Sequence, residues 1–563
     1  MKILLIHADF IEWVPTKKAM KAAEEAEKVK SRSEEVLVAF CAVEKSDEKN
    51  PSHVASNAVK EILDVAGKIN AKNAVVYPYA HLSSDLGSPA VALRVLNDVA
   101  AGVGKELSVK QAPFGWYKSF NIKAKGHPLS ELSKEISAEG HVKTKRPPAK
   151  IVLDRKSLPS NDHRILSEEL GIFHFADEVG AGLPLWLPNG EILRNELINY
   201  MRKVEEKYGY KYVHTPDITK GSLFEATGHL PYYKDSMYSP IDIDGVDYYL
   251  RPMNCPHHHM IFKKMVKSYR DLPLALCEAG NTYRNELSGV TYGLIRARCF
   301  TINDSHIYVT PEQLKTEFIK VLKMFDEVYK VMRIKGYWFR LSLPNFKKNP
   351  DKFIGDPKEW EFASKEIRKA MKDFGVKFVE EIGEAAFYGP KIDVQIKNVM
   401  GKEETIATSQ VDIVVPKRLG LAYADKDDKK KHVIVIHRAI LGSYERFIAY
   451  LLEQTKGSLP LWLSPVQVKV LSFTERNNKT AEKLAESLKK EGIRVETDTR
   501  DHTVEYKVRE AEVTKIPYIL VIGDKEEKSN TIAVRERGSK KVAFGVKKED
   551  FLNNLLNRIE KKA

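Results

Sequence analysis

Four residues of one central segment have side chains suited to binding a nucleotide: Arg284, Glu286, Arg296 and Phe300. An arginine carries a planar, permanently charged fork that can bind a phosphate through two parallel hydrogen bonds. On a strand, Arg284 and Glu286 share a face, so the carboxylate can accept a hydrogen bond from a nucleotide amino group. The ring of Phe300 can stack on a base. A surface hairpin with ion pairs is the alternative explanation of the same residues.

A second segment, His437–Ile448, places another arginine close to a predicted strand. The apolar strand Val433–Ile436 runs directly into it, Gly442 permits close backbone approach, and Arg446 lies on the following helix. Arginines on two separate elements can bend a triphosphate around a reacting centre. The alternative is an amphipathic core helix whose arginine reaches out to solvent. The sequence has no Gly-rich phosphate loop, so a nucleotide would bind without one.

Together the two segments resemble motifs 2 and 3 of the class II aminoacyl-tRNA synthetases. Motif 2 consists of Arg-x-Glu, a loop and Arg-x-x-x-Phe, and motif 3 consists of Gly-x-x-Glu-Arg. Motif 1 corresponds to the helix at 191–208 and the stretch Tyr212–Pro216, with Pro216 at a dimer interface. The resemblance implies an antiparallel catalytic sheet, ATP bound with Mg²⁺ in a bent form, and a homodimer.

Within this class, the sequence is similar to the threonyl-tRNA synthetases. The blocks that carry the similarity are Arg251–Pro256, Tyr283–Glu286, Phe387–Lys391 and His437–Arg446. By this resemblance, one catalytic Zn²⁺ per subunit is bound by Cys255, His306 and His437. The three histidines at 257–259 are interpreted as helix-start residues instead.

The same resemblance assigns the residues that bind the amino-acid substrate. Asp304 matches the position that pairs with the substrate ammonium, and the other matching positions are Tyr388, Lys391 and Gln410. Ile302 departs from the family, since bacterial members carry Gln there.

A zinc site of this kind explains why a second, hydrolytic site is expected. One thiolate and two imidazoles leave an open position that threonine can fill through its amino and hydroxyl groups. Valine lacks the hydroxyl and is rejected strongly, whereas serine lacks only a methyl group, which discriminates by only about 10–200-fold. Accurate translation therefore needs removal of Ser-tRNA made in error.

The first 135 residues resemble the N-terminal editing domain of archaeal threonyl-tRNA synthetases, which is similar to D-aminoacyl-tRNA deacylases. The similarity lies in Tyr79–Ser84, Ala112–Lys118 and the stretch at 125–131, and no His-x-x-x-His pair of the bacterial editing type occurs. By resemblance, the deacylation pocket is lined by His81, Tyr117, Lys118 and Glu131. Lys118 can hold the ester and its developing oxyanion by charge. The alternative for the whole domain is that it only clamps tRNA. The alternatives for the residues are that the histidine is a buried, hydrogen-bonded side chain and that the lysine and glutamate form a surface ion pair.

The elements that position these residues form several domains. An α/β domain is predicted at 1–137, which the resemblance identifies as the editing domain. One of its helices is capped by Ser52 and another begins at Ser88-Pro89. Its predicted strands are Lys2–Ala8, Val36–Val43, Val75–Tyr79, Leu107–Gln111 and Tyr117–Lys123. The polar, basic, Pro-containing stretch 138–161 is typical of a linker. A catalytic domain with an antiparallel sheet is expected at 162–457. The predicted fold class is therefore multidomain α/β and α+β.

The last predicted domain, 458–563, alternates strands and helices and resembles the α/β anticodon-binding domain of class IIa synthetases. Strands are predicted at Val466–Phe473, Ile493–Thr497, Tyr518–Ile522 and Thr531–Arg535, with helices near 475–490, 504–515 and 548–560. By resemblance, the anticodon bases are read by Arg509, Glu526 and Arg535. Asp501 replaces an Asn of bacterial members.

The amino-acid composition and net charge of the chain indicate what kind of partner it binds. The chain has 563 residues, a formal charge of +14 and 43% apolar residues, which indicates a globular protein with a polyanionic partner. The sequence has no run of about 18 apolar residues, so no membrane helix is expected. Four cysteines are too few for a disulfide framework, so a cytoplasmic protein is expected. The expected activity is ATP-dependent joining of L-threonine to tRNA(Thr), with editing of Ser-tRNA(Thr) and no DNA partner. A paralogue that only binds tRNA or a regulator is the rival hypothesis.

Overall fold

The computed structural model describes residues 1–20, 23–126, 130–136, 155, 157–228, 230, 233–287, 289–348 and 352–562. The chain divides into two compact units, Met1–Ala149 and Lys150–Ala563. Most of the predicted linker at 138–161 lies outside the described residues, as do His127, Pro128 and Leu129. In the part of the chain that is described, every helix is too short or too polar to cross a membrane.

In its described residues, the first unit is a six-stranded mixed sheet with two α-helices. The strands follow the order β4-β3-β2-β1-β5, and β6 pairs with β1. The elements are β1 Lys2–Lys18, β2 Ser31–Ala42, α1 Pro51–Lys68, β3 Asn73–Pro78, α2 Pro89–Val103, β4 Ser108–Gln111, β5 Trp116–Ala124 and β6 Glu131–Glu135. The five predicted strands and both predicted helices are present.

Three details of this unit differ from the sequence-based predictions. Strand β1 continues ten residues beyond the predicted Ala8, because it pairs first with β6 and then with β5 along one edge. Strand β6 was missed because its alternation is short and rich in charged residues. The cap of α1 is Asn50, whose side chain accepts a hydrogen bond from the His53 amide, so Ser52 lies inside the helix.

The second unit contains an eight-stranded sheet that is mostly antiparallel, as predicted. Its strands follow the order β16-β15-β17-β18-β21-β14-β13-β9, and only the β13–β9 and β15–β16 pairs are parallel. The strands of this part are β7 Phe173–His174, β8 Leu185–Trp186, β9 Lys211–Tyr212, β10 Ile218–Lys220, β11 Ile241–Ile243, β12 Val246–Leu250, β13 Leu274–Tyr283, β14 Cys299–Val309, β15 Trp338–Leu343, β16 Phe378–Ile382, β17 Lys391–Lys397, β18 Glu403–Asp412, β19 Ala422–Ala424, β20 Lys430–His432 and β21 Ile434–Ala439.

Among the described residues, most helices of this part bury apolar side chains in the core of the large sheet, whereas the short helix at 221–226 packs Phe224 against Tyr249 of β12. The helices are α3 His163–Leu170, α4 Pro188–Lys207, α5 Gly221–Ala226, α6 Cys255–Met265, α7 Leu314–Val331, α8 Pro357–Phe374, α9 Val415–Arg418 and α10 Tyr444–Thr455. In α4, for example, Leu193, Leu197, Met201 and Val204 recur at helical spacing and are buried in one core with α7 and α10.

The final part of the second unit is a five-stranded sheet in the order β23-β22-β24-β25-β26. Its elements are β22 Val468–Ser472, α11 Asn478–Lys490, β23 Val495–Asp498, α12 Val504–Val513, β24 Tyr518–Ile522, α13 Asp524–Ser529, β25 Thr531–Glu536, β26 Val542–Lys547 and α14 Lys548–Glu560. The four predicted strands and three predicted helices are present. Strand β26 and helix α13 were missed, because the first is an exposed edge and the second is a single polar helical segment.

Candidate functional site

Strand register places four of the predicted site residues in one row across the large sheet. Lys391 on β17 lies opposite Gln410 on β18, Gln410 lies opposite His437 on β21, and His437 lies opposite His306 on β14. Directly opposite residues of antiparallel strands point to the same face. Asp304, two residues before His306, shares that face because side chains alternate along a strand.

Cys255 completes a metal-ligand group with two residues of this row. It is the first residue of α6 and is buried, and one donor atom each of Cys255, His306 and His437 lies within 4.8 Å of the others. The ring centroids of the two histidines are 4.6 Å apart. A thiolate with two imidazoles is a donor set typical of zinc with an open coordination position.

Burial and nearby charges set the electrostatics of this group. Burial raises the pKa of the Cys255 thiol well above its usual value, and Asp304 and Asp412 add to the effect. Burial holds the pKa of His306 well below its usual range, so the imidazole is neutral, which is the form that binds metals. The Nε2 atom of His437 lies 3.3 Å from a carboxylate oxygen of Asp412. If Nε2 donates there, Nδ1 of His437 keeps a free lone pair.

These residues line a cavity of about 550 Å³. At its wall the Tyr388 hydroxyl donates to Gln410, and the Lys391 ammonium lies 3.0 Å from Asp393. The Asn254 amide donates to Asp304 over 3.1 Å, while burial raises the pKa of the Asp304 carboxyl. The cavity is also lined by Met253, Arg284, Ile302, Phe387 and Ala439.

The predicted nucleotide-binding arginines divide into two environments. Arg284 lines the cavity, with its guanidinium 5.2 Å from the ring centroid of Phe300. Burial lowers the pKa of Arg284, and the nearby charge of Arg446 lowers it further. Arg296 is half-exposed and pairs with Glu286 at 2.8 Å. The predicted shared strand face of Arg284 and Glu286 is wrong, because β13 ends at Tyr283 and both residues lie in the loop after it.

Arg446 is placed by the turn between β21 and α10. Ser443 caps α10 by accepting a hydrogen bond from the Arg446 amide, and the guanidinium donates to the carbonyls of Ile295 and Thr405, each over 3.0 Å. Gly442 has φ +61°, and a Cβ at this position would lie 2.2 Å from the Ile406 carbonyl oxygen. The turn therefore requires glycine.

Replacing Gly442 with alanine is expected to lower the free energy of unfolding by about 2–4 kcal/mol, because backbone strain and a clash with a packed strand add together. Gly492→Ala is the matched control: it also has positive φ, but its Cβ would meet nothing within 4 Å. That variant should lose only about 1 kcal/mol. Chemical denaturation of both variants measures the difference, and equal losses would show that the close approach at Gly442 is unimportant.

Sequence reasoning missed the buried polar residues behind the cavity. His258 lies in the first turn of α6, as expected for a helix-start residue, but its ring also contacts His306. Glu278 on β13 is buried among His258, Thr215 and Arg251. Nothing in the local spacing indicates these contacts, since they join three segments far apart in sequence.

In the first unit, three of the four predicted editing residues meet at a cavity of about 330 Å³, which is lined by His81, Tyr117 and Lys118. The Lys118 ammonium donates to the carbonyls of Pro113 and Trp116, over 3.0 and 3.1 Å. It also lies 5.0 Å from the centroid of the Tyr77 ring, and burial lowers the pKa of Lys118 to about 8.

Glu131 lies elsewhere in the same unit. It is exposed on β6, where it pairs with Ile6, and it is not among the described residues that line the cavity.

The three predicted anticodon residues lie in different surroundings. Arg509 lines a cavity of about 580 Å³ together with Arg500 and Tyr506. The Glu526 carboxylate accepts a hydrogen bond from the Gly523 amide, and Arg535 pairs with Glu512 at 3.1 Å. Among the described residues, only Arg509 of the three lines this cavity.

Three family models match the chain. Residues 1–136 match the archaea-specific editing domain of threonyl-tRNA synthetase. Residues 238–455 match the tRNA synthetase class II core domain for G, H, P, S and T, and residues 466–558 match an anticodon binding domain.

Comparison with individual proteins gives the same family. Threonine–tRNA ligases of Oceanobacillus iheyensis and Staphylococcus carnosus are 42% and 43% identical, over 71% and 73% of this chain. The matched regions span 62% and 63% of those relatives' lengths. The RNA binding domain of threonyl-tRNA synthetase from Cryptosporidium parvum Iowa II has a TM-score of 0.66 and 33% identity, over 70% of this chain and 98% of that one.

The antiparallel sheet and the matched core place the second unit among class II tRNA synthetases. The chain belongs to the threonyl-tRNA synthetase family.

Proposed function

We propose that the chain is a threonine–tRNA ligase that also hydrolyses Ser-tRNA(Thr). The observation that carries this proposal is the group of Cys255, His306 and His437, which lies beside Asp304 at the wall of a cavity large enough for an amino acid. The proposed domains are an editing domain at 1–137, a linker at 138–161, a catalytic domain at 162–457 and an anticodon-binding domain at 458–563. The family matches at 1–136, 238–455 and 466–558 support these boundaries.

Zn²⁺ is the proposed metal, held by Cys255, His306 and His437. When bound, it would supply a Lewis acid for the amino and hydroxyl groups of threonine. Asp304 faces the same cavity and accepts a hydrogen bond from the substrate amino group. Tyr388, Lys391 and Gln410 bind the rest of the amino acid from neighbouring strands.

In the first step, the threonine carboxylate attacks the α-phosphate of ATP, which forms threonyl-adenylate and releases pyrophosphate. Among the described residues, no carboxylate lies within ion-pair distance of Arg284 or Arg446, so their charges are available to phosphates. Phe300 offers a ring beside Arg284 for the adenine base. Glu286 and Arg296 hold the neighbouring loop through their ion pair, and Mg²⁺ accompanies ATP.

In the second step, the threonyl group passes to the terminal ribose of tRNA(Thr), and the first unit hydrolyses a seryl ester made in error. Lys118 stabilises the developing oxyanion, while His81 and Tyr117 line the same cavity. Glu131 remains a proposed editing residue by resemblance alone. We also propose that Arg509, Glu526 and Arg535 contact the anticodon, and that the protein is a cytoplasmic homodimer.

The test of this function is ATP–pyrophosphate exchange by the full chain with each amino acid in turn, followed by charging of tRNA(Thr). We expect exchange that depends on threonine. A chain that binds tRNA but supports no exchange, even when loaded with zinc, would support the rival hypothesis of a binding protein without catalysis.

A further inference from the structure

We propose that His258 and Glu278 are positioning residues that fix the orientation and tautomer of His306, and that they connect this ligand to the loop before Pro216. The inference rests on the proposed zinc site. Neither residue lines the substrate cavity among the described residues, so their effect on the site would act through His306.

The contacts form a continuous buried chain. The Nδ1 atom of His306 lies 2.8 Å from Nδ1 of His258, and Nε2 of His258 lies 3.2 Å from a carboxylate oxygen of Glu278. His258 is completely buried, and His306 and Glu278 are at most 2% exposed. Water therefore does not compete for these hydrogen bonds.

The direction of each hydrogen bond follows from the chemistry of the groups. An ionised carboxylate only accepts, so Nε2 of His258 must carry the proton that points to Glu278. If His306 binds zinc through Nε2, its Nδ1 atom carries the proton and donates it to the Nδ1 lone pair of His258. The Nε2 atom of His306 is left with a free lone pair, which is what a metal ligand requires.

Glu278 is itself held in place by two other segments. One carboxylate oxygen accepts from the Thr215 amide over 3.0 Å, and the other accepts from the Thr215 hydroxyl over 2.8 Å. The guanidinium of Arg251 donates to the Thr215 carbonyl over 3.2 Å and reaches Glu278 at 3.5 Å. Thr215 directly precedes Pro216, so displacement of this loop would be transmitted through Glu278 and His258 to His306.

The adjacent His257 provides a matched control. It lies on the same turn of α6 and is buried to a similar degree, but neither of its ring nitrogens has a hydrogen-bond partner among the described residues. Substitution at this position changes the packing of the helix but removes no hydrogen bond from the chain of contacts to His306.

The experiment measures the zinc affinity of the full chain by competition with a chelator. His258→Phe is expected to weaken zinc binding by about 10–100-fold, the range typical of lost outer-shell partners. His258→Asn should recover most of the affinity, because an amide oxygen can replace the Nδ1 acceptor. Glu278→Gln, which keeps the shape of the side chain, should give a smaller loss, and His257→Phe should bind zinc as the parent does.

Cobalt substitution gives a second readout, since the visible absorption of Co²⁺ should change in His258→Phe and not in His257→Phe. Equal zinc affinity in the parent, His258→Phe and Glu278→Gln would overturn the inference and leave the proposed function intact. If His258→Phe does not fold, Glu278→Gln decides the question. A parent chain that binds no zinc would overturn the metal site of the proposed function and this inference together.

Discussion

Replacing Arg284 with alanine is expected to lower the rate of threonine-dependent ATP–pyrophosphate exchange by about 10²–10³-fold. The half-buried Arg284 side chain lines the cavity near Arg446, and burial and this like charge both lower the pKa of Arg284. Two adjacent cations repel each other until an anion binds between them. A phosphate that gains charge in the transition state therefore benefits most from Arg284.

A second variant separates charge from geometry at this position, and a variant elsewhere serves as the control. Arg284→Lys keeps the positive charge without the planar fork and should recover only part of the rate. Arg333→Ala removes an exposed arginine outside the described cavity lining and should leave exchange unchanged. Exchange by Arg284→Ala within about threefold of the parent rate would exclude Arg284 from phosphate binding, since one lost donor typically costs far more.

Replacing Lys118 with methionine is expected to abolish hydrolysis of Ser-tRNA(Thr) by the full chain, while charging with threonine continues unchanged. Methionine fills a similar space without the ammonium that would stabilise the oxyanion. Lys123→Met is the matched control, because Lys123 lies on the same strand but is exposed and pairs with Asp9 at 3.1 Å. If the first unit only clamps tRNA, Lys118→Met and Lys123→Met should hydrolyse the ester at the same rate as the parent.

The pH dependence of this hydrolysis gives an independent test of the charge. Burial lowers the pKa of Lys118 to about 8, so the ammonium is present below that pH and is lost above it. The difference in rate between the parent and Lys118→Met should therefore shrink as the pH rises from 7 to 9. A difference that grows over this range would show that the neutral amine is the active form.

Most of the architecture was predictable from sequence, because it depends on local signals. Proline at the first turn of α2 and the helical spacing of Leu193, Leu197 and Met201 in α4 both predicted helices that are present. The misplaced features depend on tertiary pairing. The length of β1 is set by two partner strands, and the end of β13 at Tyr283 is set by the loop that follows.

The residues of the candidate site could be predicted where they belong to a family motif. They could not be predicted where only a contact in the folded structure brings them to the site. Cys255, His306 and His437 were proposed by resemblance, and strand register explains why two of them meet. His258 was interpreted only as a helix-start residue, because its contact with His306 joins positions 48 residues apart. Such contacts leave no signal in the spacing of a single sequence.

The central claim is that a zinc ion selects the amino acid through its hydroxyl group, and one combined measurement tests it most directly. Metal analysis of the purified full chain is followed by exchange assays with threonine, serine and valine, before and after zinc removal. We expect one zinc per chain, exchange with threonine and more weakly with serine, hardly any with valine, and loss of all exchange in the apoprotein. A chain without zinc, or one that activates valine as well as threonine, would contradict the account.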